Sequence, residues 1–266
     1  AQGITQLLVK LPGETRLQGV APGKSGTPDY QIAGATFPVT VYGVDQYFNT
    51  DASSVIVVSA DIVSDLYAAV PSTQSLVSGS TIFIMTAVTA ATHTMRAQTT
   101  ATIADPVYDA PFGNYFKVWW DRPVRFQLIA EGQSAAPGKS PYVANSLPPS
   151  GGRLVSTLAT LTAGTTTNLI VNLVDNYFNV VTGTTPVLTP AILPESSYTF
   201  QLEMRYPNDP NIQARLLAPD PYERPLINGT TRFTAIPVTR QGNFTLMIRE
   251  TTHNHYSTDT VIGITV

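Results

Sequence analysis

Few residues in this chain are placed to do chemistry. His93, His253 and His255 are its only histidines, and the last two stand two apart in Thr-His-Asn-His-Tyr. On a strand that spacing puts both imidazoles on one face, a workable pair of metal ligands. They fall where a hairpin loop is expected, with no third ligand in obvious reach, so a solvated loop is the plainer reading. Hard oxygens cluster twice, at Asp45, Asn49 and Asp51 and at Asp209, Asp220 and Glu223. Calcium at these loops is the one cofactor the sequence suggests. Neither loop has the alternating acidic spacing of a calcium site, and turn capping explains the same residues.

Ala21 to Ser25 and Ala136 to Ser140 both read Ala-Pro-Gly-Lys-Ser, which ends like a phosphate-binding loop. That motif also needs a glycine five residues before the second one, where Gln18 and Gln133 stand, and a helix afterwards, where Pro28 and Pro141 stand. Both segments are read as Pro-Gly turns. With no Gly-x-Ser-x-Gly elbow and no local pair of carboxylates, an enzyme is not expected. A Lys-to-Asn amide crosslink, as found in some surface pilins, would need Lys10 or Lys117 buried beside an asparagine and a carboxylate, and lysine is rarely buried. Trp119 and Trp120 are adjacent, so a strand turns one inward and one outward. An exposed Trp can stack on a sugar ring or anchor a protein partner; the plainer reading has one fill the core and the other pack the joint between domains. Tyr198, Tyr206 and Tyr222 crowd one late segment and line a binding face or cover their own loop.

The elements that position these residues occur twice. Ala33 to Thr50, AGATFPVTVYGVDQYFNT, returns as Ala163 to Val180, AGTTTNLIVNLVDNYFNV, with nine of eighteen positions identical. Leu76 to Thr89 returns as Leu226 to Thr239. Two copies of one domain follow, residues 1–121 and 122–266. The offset is 115 at Ala-Pro-Gly-Lys-Ser, 130 at Ala33 and 150 at Leu76, so the second copy is expected to carry loop inserts of fifteen and twenty residues, near 141–160 and 181–225. Without a gap, Val124-Arg125-Phe126 aligns on Val9-Lys10-Leu11.

Apolar residues alternate with period two at Phe37, Val39, Val41 and at Leu169, Val171, Leu173, the mark of strands with one buried face. The first copy is predicted to hold strands at 5–10, 36–44, 54–60, 81–86, 92–98 and 115–120. With 21 prolines and 18 glycines interrupting any helix, the fold class is all-β, two tandem immunoglobulin-like β-sandwich domains. Val-Asp-x-Tyr-Phe-Asn closes a strand in each copy. Asp45 or Asp175 is expected to cap the turn, Asn49 or Asn179 to take the left-handed conformation, and the aromatic pair to plug the core.

Only 12% of residues are charged, and the net charge of −3 offers no basic patch for nucleic acid. No apolar run is long enough to span a bilayer, and there is no cysteine for a disulfide or thiolate site. The start, AQGITQLLV, suits a mature secreted protein or a trimmed chain. Asn228 and Asn243 head glycosylation sequons.

The blocks LLVKLPGE, PGKSGTP, AGATFPVTVYGVDQYFN and LVSGSTIFIMTAVTAATHT resemble bacterial immunoglobulin-like repeats of large secreted and cell-surface proteins, distantly similar to invasin and intimin repeats. The resemblance implies a stalk, adhesin or surface-assembly component with no catalytic residues. The expected function is a secreted structural protein of a cell-surface appendage, filament or layer. Its partners would be further copies of itself or other surface proteins, met through the apolar first strand, Ile4, Leu7, Leu8 and Val9. The alternative is an adhesin or carbohydrate-binding module that takes glycan through the second copy's inserts and Trp119 or Trp120.

Overall fold

A computed structural model of the chain describes residues 3–99, 114–143, 151–155, 162, 164–183, 200–206, 209–214, 225–235, 243–250 and 260–265. Every regular element among them is a strand. No helix there is long and apolar enough to cross a membrane. The chain divides into two compact units, Ala1–Trp119 and Trp120–Val266.

In the first unit, β1 (Gln6–Lys10), β5 (Thr36–Val44) and β8 (Ser80–Thr86) form an antiparallel sheet with β5 central. A second sheet runs in the order β4 (Gln31–Ile32), β10 (Tyr115–Trp119), β9 (Thr92–Thr99), β6 (Val57–Ile62) and β7 (Gln74–Ser75). A short ribbon pairs β2 (Thr15–Arg16) with β3 (Lys24–Ser25). Alternation builds the core: Phe37, Val39 and Val41 of β5 turn inward with Phe83 and Met85 of β8, while Met95, Ala97, Phe116 and Val118 are buried from the other sheet. Phe37 meets Phe116 with ring centroids 5.4 Å apart, so the two sheets pack face to face.

In the second unit, β11 (Arg125–Ile129), β14 (Thr167–Val174) and β17 (Thr230–Ala235) form one sheet. The order β16 (Asp209–Ala214), β15 (Phe200–Tyr206), β18 (Asn243–Glu250) and β19 (Thr260–Thr265) gives another, and β12 (Gln133–Ala135) pairs with β13 (Arg153–Val155). Val39 faces Phe83 and Tyr42 faces Ser80 in the first unit, as Leu169 faces Phe233 and Asn172 faces Thr230 in the second. The offsets of 130 and 150 read from the repeats thus hold strand against strand.

Two correspondences differ from the ungapped reading. Gln6 faces Val44 and Arg125 faces Val174, an offset of 119, so Phe126 stands in the place of Leu7 and not of Leu11. A slip of four residues keeps every side chain on its own face, which is why alternation could not reveal it. The two Ala-Pro-Gly-Lys-Ser segments are not equivalent either. Leu17 N–H donates to the Gly23 carbonyl at 2.8 Å, and its counterpart is Ala136 N–H donating to the Gly152 carbonyl at 2.7 Å. Lys24 Nζ donates to the Val9 carbonyl at 2.8 Å, and Arg153 Nε to the Leu128 carbonyl at 3.1 Å. Gly152-Arg153 therefore stands where Gly23-Lys24 stands, and Gly138 stands where Gly19 does. The numbering offset grows from 119 at Gly138 to 129 at Gly152, ten residues where the motif match had implied fifteen by Ala163.

Candidate functional site

Among the described residues of the first unit, outward aromatic side chains gather along β10. Inward Phe116 and Val118 alternate with outward Tyr115, Lys117 and Trp119. β4 pairs with β10 in parallel, Gln31 facing Val118 and Ile32 facing Trp119, which brings the segment before β4 alongside. Tyr30, 58% exposed, meets Trp119 edge to face at 5.8 Å, and Lys117 Nζ sits 3.8 Å from the centre of the Trp119 ring. Pro28, Asp29, Tyr30, Thr92, Tyr115 and Lys117 border a shallow groove of about 380 Å³. Tyrosine faces beside an ammonium, a carboxylate and a hydroxyl can stack on a sugar ring and hydrogen-bond its hydroxyls, or clamp an extended peptide.

Sequence reasoning found Trp119 in this set but missed Tyr30, Tyr115 and Lys117. The alternation Tyr-Phe-Lys-Val-Trp announced the outward line; nothing local announced Tyr30, which arrives through the parallel pairing. Trp119 and Trp120 are both half-buried. Leu7, Leu8 and Val9 are fully buried and β1 is paired along its length with β5, so these side chains serve their own unit; Ile4 is half-buried just before the strand. Tyr206 ends β15 opposite Asp209. Tyr198, Tyr222, His253, His255, Asp220 and Glu223 lie outside the described residues. Asn228 is exposed in a turn, and Asn243 opens β18.

The Val-Asp-x-Tyr-Phe-Asn loops close as caps. Asp45 Oδ1 accepts from the N–H groups of Tyr47 and Asn49, each at 2.9 Å, and Asp175 Oδ1 accepts from Tyr177 at 2.8 Å and Asn179 at 2.9 Å. The left-handed residue is not the asparagine: Phe48 and Phe178 both have φ of 64°. Only the Phe plugs the core. Phe48 packs on Leu8 and Val44 while Tyr47 is 60% exposed. A left-handed Phe is costly and needs its surroundings to hold it. Here the chain passes Gly23 so close that a Cβ there would meet the Phe48 ring at 2.5 Å, and Gly152 meets Phe178 in the same way.

The two caps differ electrostatically. Burial would raise the Asp45 carboxyl, but the Asn49 N–H and side chain and the Tyr47 N–H outweigh it and hold it below the usual range. Burial wins at Asp175, which is raised despite bonds from Asn179, Asp121 and Tyr177. Asp51 is held at about 2 by the hydroxyls of Ser53 and Ser54 and the Ser53 N–H. The oxygens proposed for calcium at Asp45 and Asp51 thus accept from their own loops. Among the described residues no three His, Cys, Asp or Glu converge.

The buried polar groups of the first unit include a histidine and a lysine. His93 bridges Ser64 Oγ at 3.0 Å and the Thr89 carbonyl at 2.6 Å. The buried lysine is neither Lys10, half-buried at the end of β1, nor Lys117 on the groove, but Lys24. Its Nζ lies 2.9 Å from Glu14 Oε1 and 2.9 Å from Asn114 Oδ1.

No protein-family profile and no curated protein matches the chain. Solved structures do. A β-glycosidase from Bacteroides vulgatus matches 98% of this chain and 24% of its own at 14% identity and a TM-score of 0.32. FdeC, an Escherichia coli adhesin, matches 89% of this chain and 61% of its own at 16% identity and 0.34. The D0-D1 domain of intimin matches 89% of this chain and 93% of its own at 10% identity and 0.29. The chain thus spans about a quarter of that glycosidase and three fifths of FdeC. Surface adhesins and glycoside hydrolases both occur among the matches, and at TM-scores below 0.5 neither sets a function for this chain.

Proposed function

We propose that the protein is a secreted, cell-surface adhesion protein of two tandem immunoglobulin-like sandwiches, and that its first unit holds a glycan or peptide partner in the β10 groove. One observation carries this reading: Tyr30, Tyr115, Lys117 and Trp119 are gathered from two segments onto one outward face. No catalysis is assigned to the chain. The test is a glycan and peptide array followed by calorimetry on any hit, comparing the wild type with the Tyr30→Ala/Tyr115→Ala variant. Both side chains are exposed, so the variant should fold. A loss of about tenfold or more in affinity is expected; unchanged affinity would remove the groove from the account.

A second reading, a self-assembling structural subunit, rests on the other sheet. Ile82 and Ile84 of edge strand β8 are 55% and 59% exposed, and Arg232 and Thr234 stand at their places in the second unit. Apolar side chains on an open edge favour pairing with another chain. Electron microscopy across a concentration series separates the readings. Filaments that vanish in Ile82→Arg/Ile84→Thr favour assembly, and single particles at every concentration favour the adhesin.

A further inference from the structure

The geometry points to a covalent crosslink in the first unit: we propose that Lys24 and Asn114 join spontaneously through an amide bond between Nζ and Cγ, with Glu14 carrying the proton. The three side chains form a closed cluster. Lys24 is 2% exposed, the Glu14 side chain 4% and Asn114 7%. Lys24 Nζ is held by the Val9 carbonyl at 2.8 Å, by Glu14 at 2.9 Å and by Asn114 Oδ1 at 2.9 Å, so the Asn114 amide carbon lies one bond beyond an atom the amine already touches.

A buried ion pair is an expensive way to build a fold, and in the second unit uncharged Gln133 stands in the place of Glu14. There, Gln133 Oε1 accepts from Ala130 N–H at 3.1 Å, as Glu14 Oε2 accepts from Leu11 N–H at 2.7 Å, and Arg153 supplies the donor to Leu128 that Lys24 supplies to Val9. Gln and Arg satisfy the backbone, yet Gln carries no proton and Arg does not act as an amine nucleophile. The first unit therefore holds a nucleophile and a proton carrier at two positions where the second unit has neither.

The step balances without any co-reactant. Glu14 takes a proton from the Lys24 ammonium, and the free amine attacks Asn114 Cγ, whose oxygen accepts a hydrogen bond from the protonated Glu14. The Nζ–Cγ bond forms as the Cγ–Nδ2 bond breaks. Glu14 gives its proton to Nδ2, which leaves as ammonia, and the carboxylate so freed takes the second Nζ proton and passes it on, so that the leaving group departs as ammonium. Exclusion of water keeps the amide from hydrolysis, and proximity with the help of Glu14 lets two ordinarily inert groups react. The bond ties β3 to the residue before β10, ninety positions along the chain.

Intact-mass spectrometry of the full chain tests this. The wild type is expected to weigh one ammonia, about 17 Da, less than its sequence. Trypsin should then leave Lys24 uncut and yield Leu17–Arg96 joined to Ala97–Lys117 as one branched peptide. Lys24→Arg and Glu14→Gln introduce the residues that the second unit uses, so both should fold by circular dichroism, show the full mass and melt at a lower temperature. A folded wild type of full mass that releases Leu17–Lys24 overturns the crosslink, and loss of ammonia in Glu14→Gln overturns the role of Glu14.

Discussion

Replacing Gly23 by alanine should unsettle the first unit far more than the same change at Gly19, although the two share a loop. Both have positive φ, 85° and 71°, so each alanine incurs the left-handed penalty of about 1–2 kcal/mol. The surroundings differ. A Cβ on Gly19 meets nothing nearer than Asn49 Oδ1 at 3.4 Å, an ordinary contact, whereas on Gly23 it meets the Phe48 ring at 2.5 Å. The ring cannot retreat cheaply, because its backbone is fixed in a left-handed turn by the Asp45 cap and its edge packs on Leu8 and Val44. Overpacking of this kind adds about 1–3 kcal/mol. Gly23→Ala should therefore cost about 2–5 kcal/mol and Gly19→Ala about 1–2 kcal/mol. Urea denaturation of both variants, following the transition of the first unit, measures the gap. Equal losses would refute the account of how Phe48 is held. Gly152→Ala, facing Phe178, should behave as Gly23→Ala does, because Gly152 and not Gly138 occupies the corresponding position.

Other changes give equally direct readings. Gln127 donates to the Gly152 carbonyl at 2.7 Å and accepts from Asn172 at 3.2 Å, where the first unit has Leu8 beside Tyr42. The Gly152 carbonyl would keep the Ala136 N–H, so Gln127→Leu takes the acceptor from Asn172 Nδ2 and should cost about 1–3 kcal/mol; adding Asn172→Tyr should recover part of it in the same denaturation assay. Asp51 has a folded-state pKa of about 2, below its usual value, so its contribution is present above about pH 4 and lost as pH falls through 2. Asp51→Asn should accordingly be less stable than the wild type at pH 7, with the difference closing toward pH 2 in acid-dependent melts. Arg16 donates to the carbonyls of Leu17, Gly23 and Phe48. Its removal should destabilise the first unit by about 1–3 kcal/mol, read as a shifted urea midpoint.

Strands with one buried face were legible in the sequence. Phe37, Val39 and Val41 repeat every second residue, and β5 runs from Thr36 to Val44 as that spacing predicts; β9 and β10 end within a residue of expectation. Strand register was not legible where a shift preserves the face, so the four-residue slip of β11 against β1 escaped notice. Motif identity misled for a physical reason: Lys24 and Lys139 share a pentapeptide, yet position is set by which backbone carbonyl the cation must satisfy, and Arg153 does that in the second unit. The left-handed residue of each cap fell on Phe because the core needs its ring there. Asn114 lies ninety residues from Lys24, and Tyr115 is similarly remote from Tyr30, so each pair meets only once the sheets are assembled.

The claim that the β10 face of the first unit is an adhesive surface is tested most directly by coating beads with the full chain and counting their attachment to cell layers and glycan-coated surfaces. Attachment by the wild type that falls about tenfold in Tyr30→Ala/Tyr115→Ala, with the fold retained by circular dichroism, is the predicted result. Equal attachment of the two proteins would contradict it.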